Sequence, residues 1–194
     1  MKVSDNNVHV KPVRYISYLL RHQPQAAGLA MDAHGWVSVA ELIDKVNAAG
    51  RYHITEAILD EIVRTDNKGR FRYNEDGTMI KACQGHSIPW VEPELTICQP
   101  PDYLYHGTTE DSWQKIQESG YISKMGRHAV HMQAEEAKVW QSAKRWHRTP
   151  VVLVIDAAAM YANGAVFSIS DNGVWCAETV PTEYIVSVLQ EEKE

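Results

Sequence analysis

Basic and imidazole side chains in this sequence fall where the chain changes direction. Arg21-His22 closes an apolar helical run. Lys68 and Arg70 lie in Asp66-Asn67-Lys68-Gly69-Arg70-Phe71, between a helical pattern and a hairpin pattern. His106-Gly107-Thr108 ends a short strand pattern, and Arg127 and His131 stand in Gly126-Arg127-His128-Ala129-Val130-His131. A guanidinium clamps a phosphate through two parallel hydrogen bonds and keeps its charge at any working pH. Anion binding is therefore the chemistry these residues are suited to. Taken singly, each is more often a surface arginine or a core histidine with its hydrogen bonds met, so only a pattern joining them carries weight.

Other chemistries find less support. There is no Walker A loop, no glycine-rich dinucleotide turn and no Gly-x-Ser-x-Gly elbow. Cys83 and His86 have a ligand-like gap and His128 and His131 are three apart, yet no Cys-x-x-Cys or His-Glu-x-x-His completes a zinc set. No metal is expected. Three scattered cysteines, Cys83, Cys98 and Cys176, do not make a disulfide framework and read as thiols of a reducing compartment.

The elements that must position these groups belong to a chain of 194 residues, room for one domain or two small ones. Its net charge is −6, which argues against non-specific coating of nucleic acid or of an anionic membrane. The average hides a pattern. Residues 1–100 are nearly balanced, with 11 Lys/Arg against 12 Asp/Glu, and the rest is acidic, 8 against 13. Windows 6–31, 119–134 and 137–155 hold no acid. The last carries Lys138, Lys144, Arg145 and Arg148, while Glu191, Glu192 and Glu194 gather at the tail. A local phosphate site is compatible with an acidic protein, because the field in a cleft follows the nearby charges. No apolar run approaches a membrane span, and MKVSDNNVHVKPV lacks the apolar centre of a secretory signal, so a cytoplasmic protein is expected.

Periodicity predicts the first lobe. Pro12 opens a helix whose Val13, Ile16, Leu19 and Leu20 share a face, and Pro24 ends it. Leu29 to Met31 reads as a short strand. Ser38 with Glu41 three residues on predicts a capping box for a helix carrying Val39, Leu42, Ile43 and Val46, stopped by Gly50. Thr55 caps a third helix with Ile58, Leu59, Ile62 and Val63. Asp76-Gly77 between short apolar runs signals a hairpin. Three helices and a hairpin are the order of a winged-helix domain. Residues 87–101 hold four of the eight prolines and read as a linker, giving lobes 1–86 and 102–194. In the second lobe, strands are expected at 104–105, 130–132, 151–155, 166–169, 174–177 and 184–189. Helices are expected at 111–119 and 134–146. The fold class is α+β.

Seven segments, taken in order, supply the joining pattern. They are Leu19-Leu20-Arg21-His22, Gly35-Trp36-Val37, Asp66 to Phe71, Gln84-Gly85-His86-Ser87, Tyr105-His106-Gly107-Thr108, Arg127 to Met132 and Asn172-Gly173-Val174-Trp175. In this order the chain closely resembles the RNA 2′-phosphotransferases, the KptA-type enzymes of the tRNA-splicing phosphotransferase family. The resemblance runs from about Arg14 to Ile185. It implies a winged-helix RNA lobe joined to an ADP-ribosyltransferase-like NAD lobe, with the active site in the cleft between them. It implies NAD as co-substrate and an RNA bearing an internal 2′-phosphate, tRNA-like, as partner. The 2′-phosphate attacks the anomeric carbon of the NAD ribose, nicotinamide leaves, and the RNA carries an ADP-ribosylated 2′-phosphate. The neighbouring hydroxyl then attacks phosphorus, freeing RNA with a 2′-OH and ADP-ribose 1″,2″-cyclic phosphate.

The family's catalytic set maps onto Arg21, His22, Arg70 and Arg127, with Lys68 as a further phosphate contact. A phosphate dianion needs positioning more than a base in the first step, and guanidinium donors stabilise the charge gathered in the second. His22 alone of this set moves a proton near neutral pH, and it is assigned to the ribose hydroxyl in step two. The NAD contacts implied are His106, Gly107, Thr108, His131, Gln133, Gly173 and Val174. Gln133 departs from the family, which usually has serine there. Gly173 and Val174 stand where many ADP-ribosyltransferases place a catalytic glutamate.

Two other readings compete. An ADP-ribosyltransferase acting on nucleic-acid terminal phosphates or on protein shares the NAD lobe but has no second step. A non-catalytic winged-helix regulator needs a basic third helix, and residues 56–66 carry Glu56, Asp60, Glu61 and Asp66 against Arg64 alone.

Overall fold

The computed structural model describes residues 10–143 and 148–190. Lys144, Arg145, Glu191, Glu192, Glu194 and the predicted helical residues 144–146 lie outside the described residues. The chain divides into two compact units, Met1–Glu94 and Leu95–Glu194. Both mix helices with antiparallel sheet. Among the described residues no helix is long and apolar enough to cross a membrane.

The first unit begins with α1 (Val10–Arg21), which buries Ile16, Leu19 and Leu20 completely. A short 3-10 turn, Pro24–Ala26, follows it. The sequence stretch Leu29–Met31, expected as a strand, forms only one bridge, Met31 to Val37. The strand is β1 (Val37–Ser38) instead, directly before α2 (Val39–Ala48). Ser38 accepts a hydrogen bond from the Glu41 N–H at 3.3 Å, so the first half of the capping box forms. The Glu41 carboxylate turns instead to the Ala30 N–H, 3.1 Å away, and anchors the preceding loop. Thr55 caps α3 (Glu56–Thr65) through the Ile58 N–H.

The hairpin β2 (Phe71–Tyr73) and β3 (Met79–Ala82) pairs Phe71 with Ala82 and Tyr73 with Ile80. With β1 on the far side of β3 it makes a three-stranded sheet in the order β1-β3-β2. The helices and this sheet enclose one apolar core, each fully buried Leu or Ile contributing ~1.5–3 kcal/mol over an exposed one. Lys81 is 2% exposed yet sits on the sheet. Its ammonium lies 4.7 Å from the Trp36 ring centroid, the Arg72 guanidinium lies 4.9 Å from the same ring, and Glu94 pairs with both cations. The Lys81 hydrogen bond holds the Glu94 carboxyl below its ordinary range. The pair and the ring offset the loss of water around a buried ammonium.

In the second unit β4 (Thr96–Ile97) comes first, so the proline-rich stretch 87–101 is divided. Ile88 and Val91 are buried in the first unit, and Thr96–Ile97 pairs within the second. Next come β5 (Tyr103–Thr109), α4 (Glu110–Ser119), β6 (Tyr121–Ser123) and β7 (Val130–Met132). Thr109 caps α4, and Gly120 ends it at φ +80°, donating its N–H to Ile116. This is the left-handed cap that glycine adopts without a Cβ clash.

The chain continues through α5 (Glu136–Ala143), β8 (Pro150–Asp156), α6 (Ala157–Ala162), β9 (Ser168–Ile169), β10 (Trp175–Ala177), β11 (Thr179–Pro181) and β12 (Ile185–Gln190). The apolar run at 151–155 becomes the middle strand of β12-β8-β5, with Val151, Val152, Leu153 and Ile155 buried. A second sheet runs β4-β9-β10-β7, and β11 pairs with β6. The sequence pattern did not foretell α6 or the β6–β11 pair.

Candidate active site

In the first unit the site is built at the end of α1. Arg21 occupies the last turn, where the negative end of the helix favours a cation. His22 follows and is exposed. Ser87 holds both residues from the other side. Its N–H donates to the Arg21 carbonyl at 2.9 Å, and its Oγ lies 2.8 Å from His22 Nδ1. Gly85, at φ +86°, lies against the Arg21 side chain, with its Cβ position 3.7 Å from the guanidinium carbon. The glycine suits the backbone angle, while the contact with Arg21 is an ordinary van der Waals one. His86, between them, is buried at 1% exposure and packs on Gly35.

Arg70 is set by Asp66. Asp66 ends α3, and its side chain, 3% exposed, accepts from the N–H of Lys68 at 3.3 Å and of Arg70 at 2.5 Å. It also forms the ion pair with the Arg70 guanidinium, whose side chain is 23% exposed. An aspartate that folds its own loop in this way turns the sequence Asp66 to Arg70 into a rigid mount. The Arg70 carbonyl accepts from Cys83 at 2.8 Å. Residues 83–87 therefore bind Arg70 at one end and Arg21 and His22 at the other. Lys68 lies on the same turn and is half-buried.

In the second unit His106, on β5, donates from Nδ1 to the His131 carbonyl at 2.9 Å, because a carbonyl only accepts. Its neutral ring then carries the lone pair on Nε2. Loss of surrounding water pushes the His106 pKa down, the carbonyl opposes this, and the Arg127 charge adds to it.

Arg127 donates to His131 Nδ1 at 3.0 Å, which makes that nitrogen the lone-pair side of the second imidazole. Gln133 exchanges backbone hydrogen bonds with Tyr105 at 2.8 and 2.9 Å, tying the end of β7 to β5. Thus His106, Arg127, His131 and Gln133 form one cluster. Gly107 faces α5, where a Cβ would fall 2.8 Å from Val139 Cγ1, and Thr108 is buried. Gly173, at φ +77°, and buried Val174 lie in the turn before β10. Ser170 clamps that turn, taking the Val174 N–H on its Oγ at 3.1 Å. Cys176 on β10 pairs with His131 on β7, so the turn adjoins the histidine cluster.

Sequence reasoning gave no role to Asp66 or Ser87. Both signals were present. Asp66 stands two and four residues before the N–H groups it binds, the spacing of an aspartate turn, and Ser87 closes the Gln84-Gly85-His86-Ser87 segment.

Arg21, His22 and Arg70 held by one short segment of the first unit, with Arg127, His131 and His106 linked by hydrogen bonds in the second, give this mixed helix-and-sheet chain the side chains of a protein suited to handling anions. The comparisons with known proteins sharpen this class. The sequence model described as RNA 2′-phosphotransferase, Tpt1 / KptA family, matches residues 7–179. A probable RNA 2′-phosphotransferase of Nostoc punctiforme is 42% identical over 186 residues, spanning 96% of this chain and 100% of that protein. Proteins of the same description from Rhizobium leguminosarum and Escherichia coli are 42% and 39% identical over 172 residues, covering 89% of this chain and 90% and 92% of theirs. The chain belongs to the RNA 2′-phosphotransferase family and is, on that membership, a transferase.

Proposed function

We propose that this chain is an NAD-dependent RNA 2′-phosphotransferase that removes an internal 2′-phosphate from a tRNA-like RNA. Its first unit is read as a winged-helix RNA lobe, its second as an ADP-ribosyltransferase-like lobe. Support for the first is the order α1-β1-α2-α3-β2-β3, with β1 closing the sheet beside the hairpin. The observation that carries the reading is the mounting of Arg21, His22 and Arg70 by one short segment, residues 83–87, within a family match covering most of the chain. A protein needing only a basic surface has no use for arginines fixed by a buried carboxylate and by a glycine at positive φ.

In this reading Arg21, Arg70 and Lys68 bind the 2′-phosphate, and Arg127 is assigned to the same group. Guanidinium donors aimed at its oxygens stabilise the charge that collects during transfer. His22, oriented by Ser87, takes the proton of the neighbouring ribose hydroxyl as that oxygen attacks phosphorus. NAD supplies the acceptor carbon for the phosphate, and nicotinamide is the leaving group.

The second unit fits a dinucleotide in its donor set. His106 presents Nε2 as an acceptor for a sugar hydroxyl, and the Arg127 guanidinium at His131 supplies a positive charge for a pyrophosphate. Gly107, Thr108, Gly173 and Val174 complete the proposed contacts. The unbridged thiols Cys83, Cys98 and Cys176 accord with a cytoplasmic setting.

The test is incubation with NAD and an oligonucleotide carrying one internal 2′-phosphate. The expected products are nicotinamide, ADP-ribose 1″,2″-cyclic phosphate and RNA with a free 2′-OH, all absent when NAD is omitted. Nicotinamide release that stops at an ADP-ribosylated product identifies an ADP-ribosyltransferase instead. No reaction at all rejects both.

A further inference from the structure

A cleft of about 370 Å³ opens in the first unit, and His22 and Ser87 form part of its wall. Trp90, 51% exposed and the one exposed tryptophan among the described residues, also lines it. Buried Leu29 adds an apolar surface. Gln23 and Gln25 complete it at the polar edge, with the Gln25 amide donating to the Gln23 carbonyl oxygen at 2.9 Å. No aspartate or glutamate lines the cleft among the described residues.

These features agree on one kind of occupant. A half-exposed indole offers a flat apolar surface on which a planar ring can stack. Two primary amides offer donors and acceptors of the kind that read a heterocycle's edge. A wall without carboxylates tolerates a nearby polyanion. His22, which lines the cleft, is the imidazole assigned above to the ribose hydroxyl next to the 2′-phosphate, so the cleft adjoins the reacting nucleotide in that function.

We infer that this cleft receives a nucleobase at or next to the phosphorylated ribose, stacked on Trp90 and bounded by Gln23 and Gln25. The inference rests on the assignment of His22 to the ribose hydroxyl beside the phosphate. The phosphate contacts position the strand, and the base contact adds affinity that charge alone does not supply on a protein of net charge −6. Stacking is tolerant of base identity, so the cleft favours unpaired nucleotides over any one sequence.

The experiment measures binding of two fluorescently labelled oligonucleotides to the full chain, without NAD. Both carry one 2′-phosphate. One has normal bases, and the other is abasic at the phosphorylated nucleotide and its 3′ neighbour. Wild type, Trp90→Ala and Trp90→Phe are compared, with thermal melts confirming that each variant folds. Trp90→Ala is expected to weaken binding of the normal oligonucleotide roughly tenfold and of the abasic one hardly at all, with Trp90→Phe in between.

Equal weakening of both, or weakening of neither, overturns the inference. The readout separates it from the enzymatic reading. Base-dependent binding in a protein that releases no nicotinamide keeps the cleft and rejects the reaction. Turnover of both oligonucleotides with Trp90-independent binding does the reverse.

Discussion

Ser87 Oγ lies 2.8 Å from His22 Nδ1 while the Ser87 N–H grips the Arg21 carbonyl, so one serine holds both the last residue of α1 and the histidine that follows it. The helix end would otherwise fray, since its final carbonyls have no partners within the helix. Ser87→Ala removes the side-chain bond and keeps the backbone one. A neutral hydrogen bond of this kind is worth about 0.5–1.5 kcal/mol. We expect kcat to fall by roughly three- to tenfold, with a displaced pH profile, while thermal stability barely changes. An unaltered pH–rate profile in this variant would separate Ser87 from the proton-moving role proposed for His22.

Asp66 acts through Arg70. Asp66→Ala leaves the guanidinium without its charged partner and opens the turn that carries Lys68. Arg70→Ala and Arg127→Ala should each lower kcat/KM by more than ~100-fold, the scale of a lost transition-state donor. Asp66→Ala should cost roughly 10–100-fold, the worth of a charge-assisted hydrogen bond. The double variant Asp66→Ala with Arg70→Ala should lose less than the product of the two single losses, because both remove the Arg70 contact and only the loosened Lys68 turn adds to it. Additive losses in that cycle exclude a positioning role for Asp66.

His106 gives the second unit a pH dependence of known sign. Its folded pKa lies below the ordinary value of 6.5, chiefly because the ring has lost water. The unfolded chain then binds the proton more readily, and stability rises with pH across that interval. The contribution is complete above pH 6.5 and is lost as pH falls toward the folded pKa. His106→Asn keeps a donor for the His131 carbonyl and removes the titration. Melting curves of wild type between pH 7.5 and 5 should fall more steeply than those of the variant. Parallel curves contradict this account.

Gly35 and His86 test the scaffold apart from the chemistry. Gly35 adopts φ +84°, and a Cβ there would stand 2.9 Å from His86 Nε2. Gly35→Ala meets both the left-handed backbone cost, ~1–2 kcal/mol, and a contact that moves a buried ring. The expected result is a melting temperature lower by roughly 2–4 °C for each kcal/mol lost in a chain of this length. Gly50→Ala is the control, since it has a similar angle, φ +66°, but open space around its Cβ, and it should cost less.

Local sequence dictated much of the first unit. The α1 face, the caps at Ser38 and Thr55 and the hairpin at Asp76-Gly77 all rest on interactions within a few residues, so spacing alone revealed them. The arginines and histidines were visible for the same reason, as unusual residue types at element ends.

Tertiary structure decided the rest. Strands of two or three residues, such as β1, β4 and β11, are too short to show a period, and each exists only because a distant strand supplies its hydrogen bonds. α6, rich in alanine, has no apolar stripe to announce it. The partner of His22 is 65 residues away at Ser87, and that of His106 is 25 away at His131. Sequence thus determined which groups were available for phosphate chemistry. The long-range folding of 83–87 onto α1, and of β7 onto β5, determined how those groups are oriented, because side-chain orientation depends on neighbours that the local sequence does not contain.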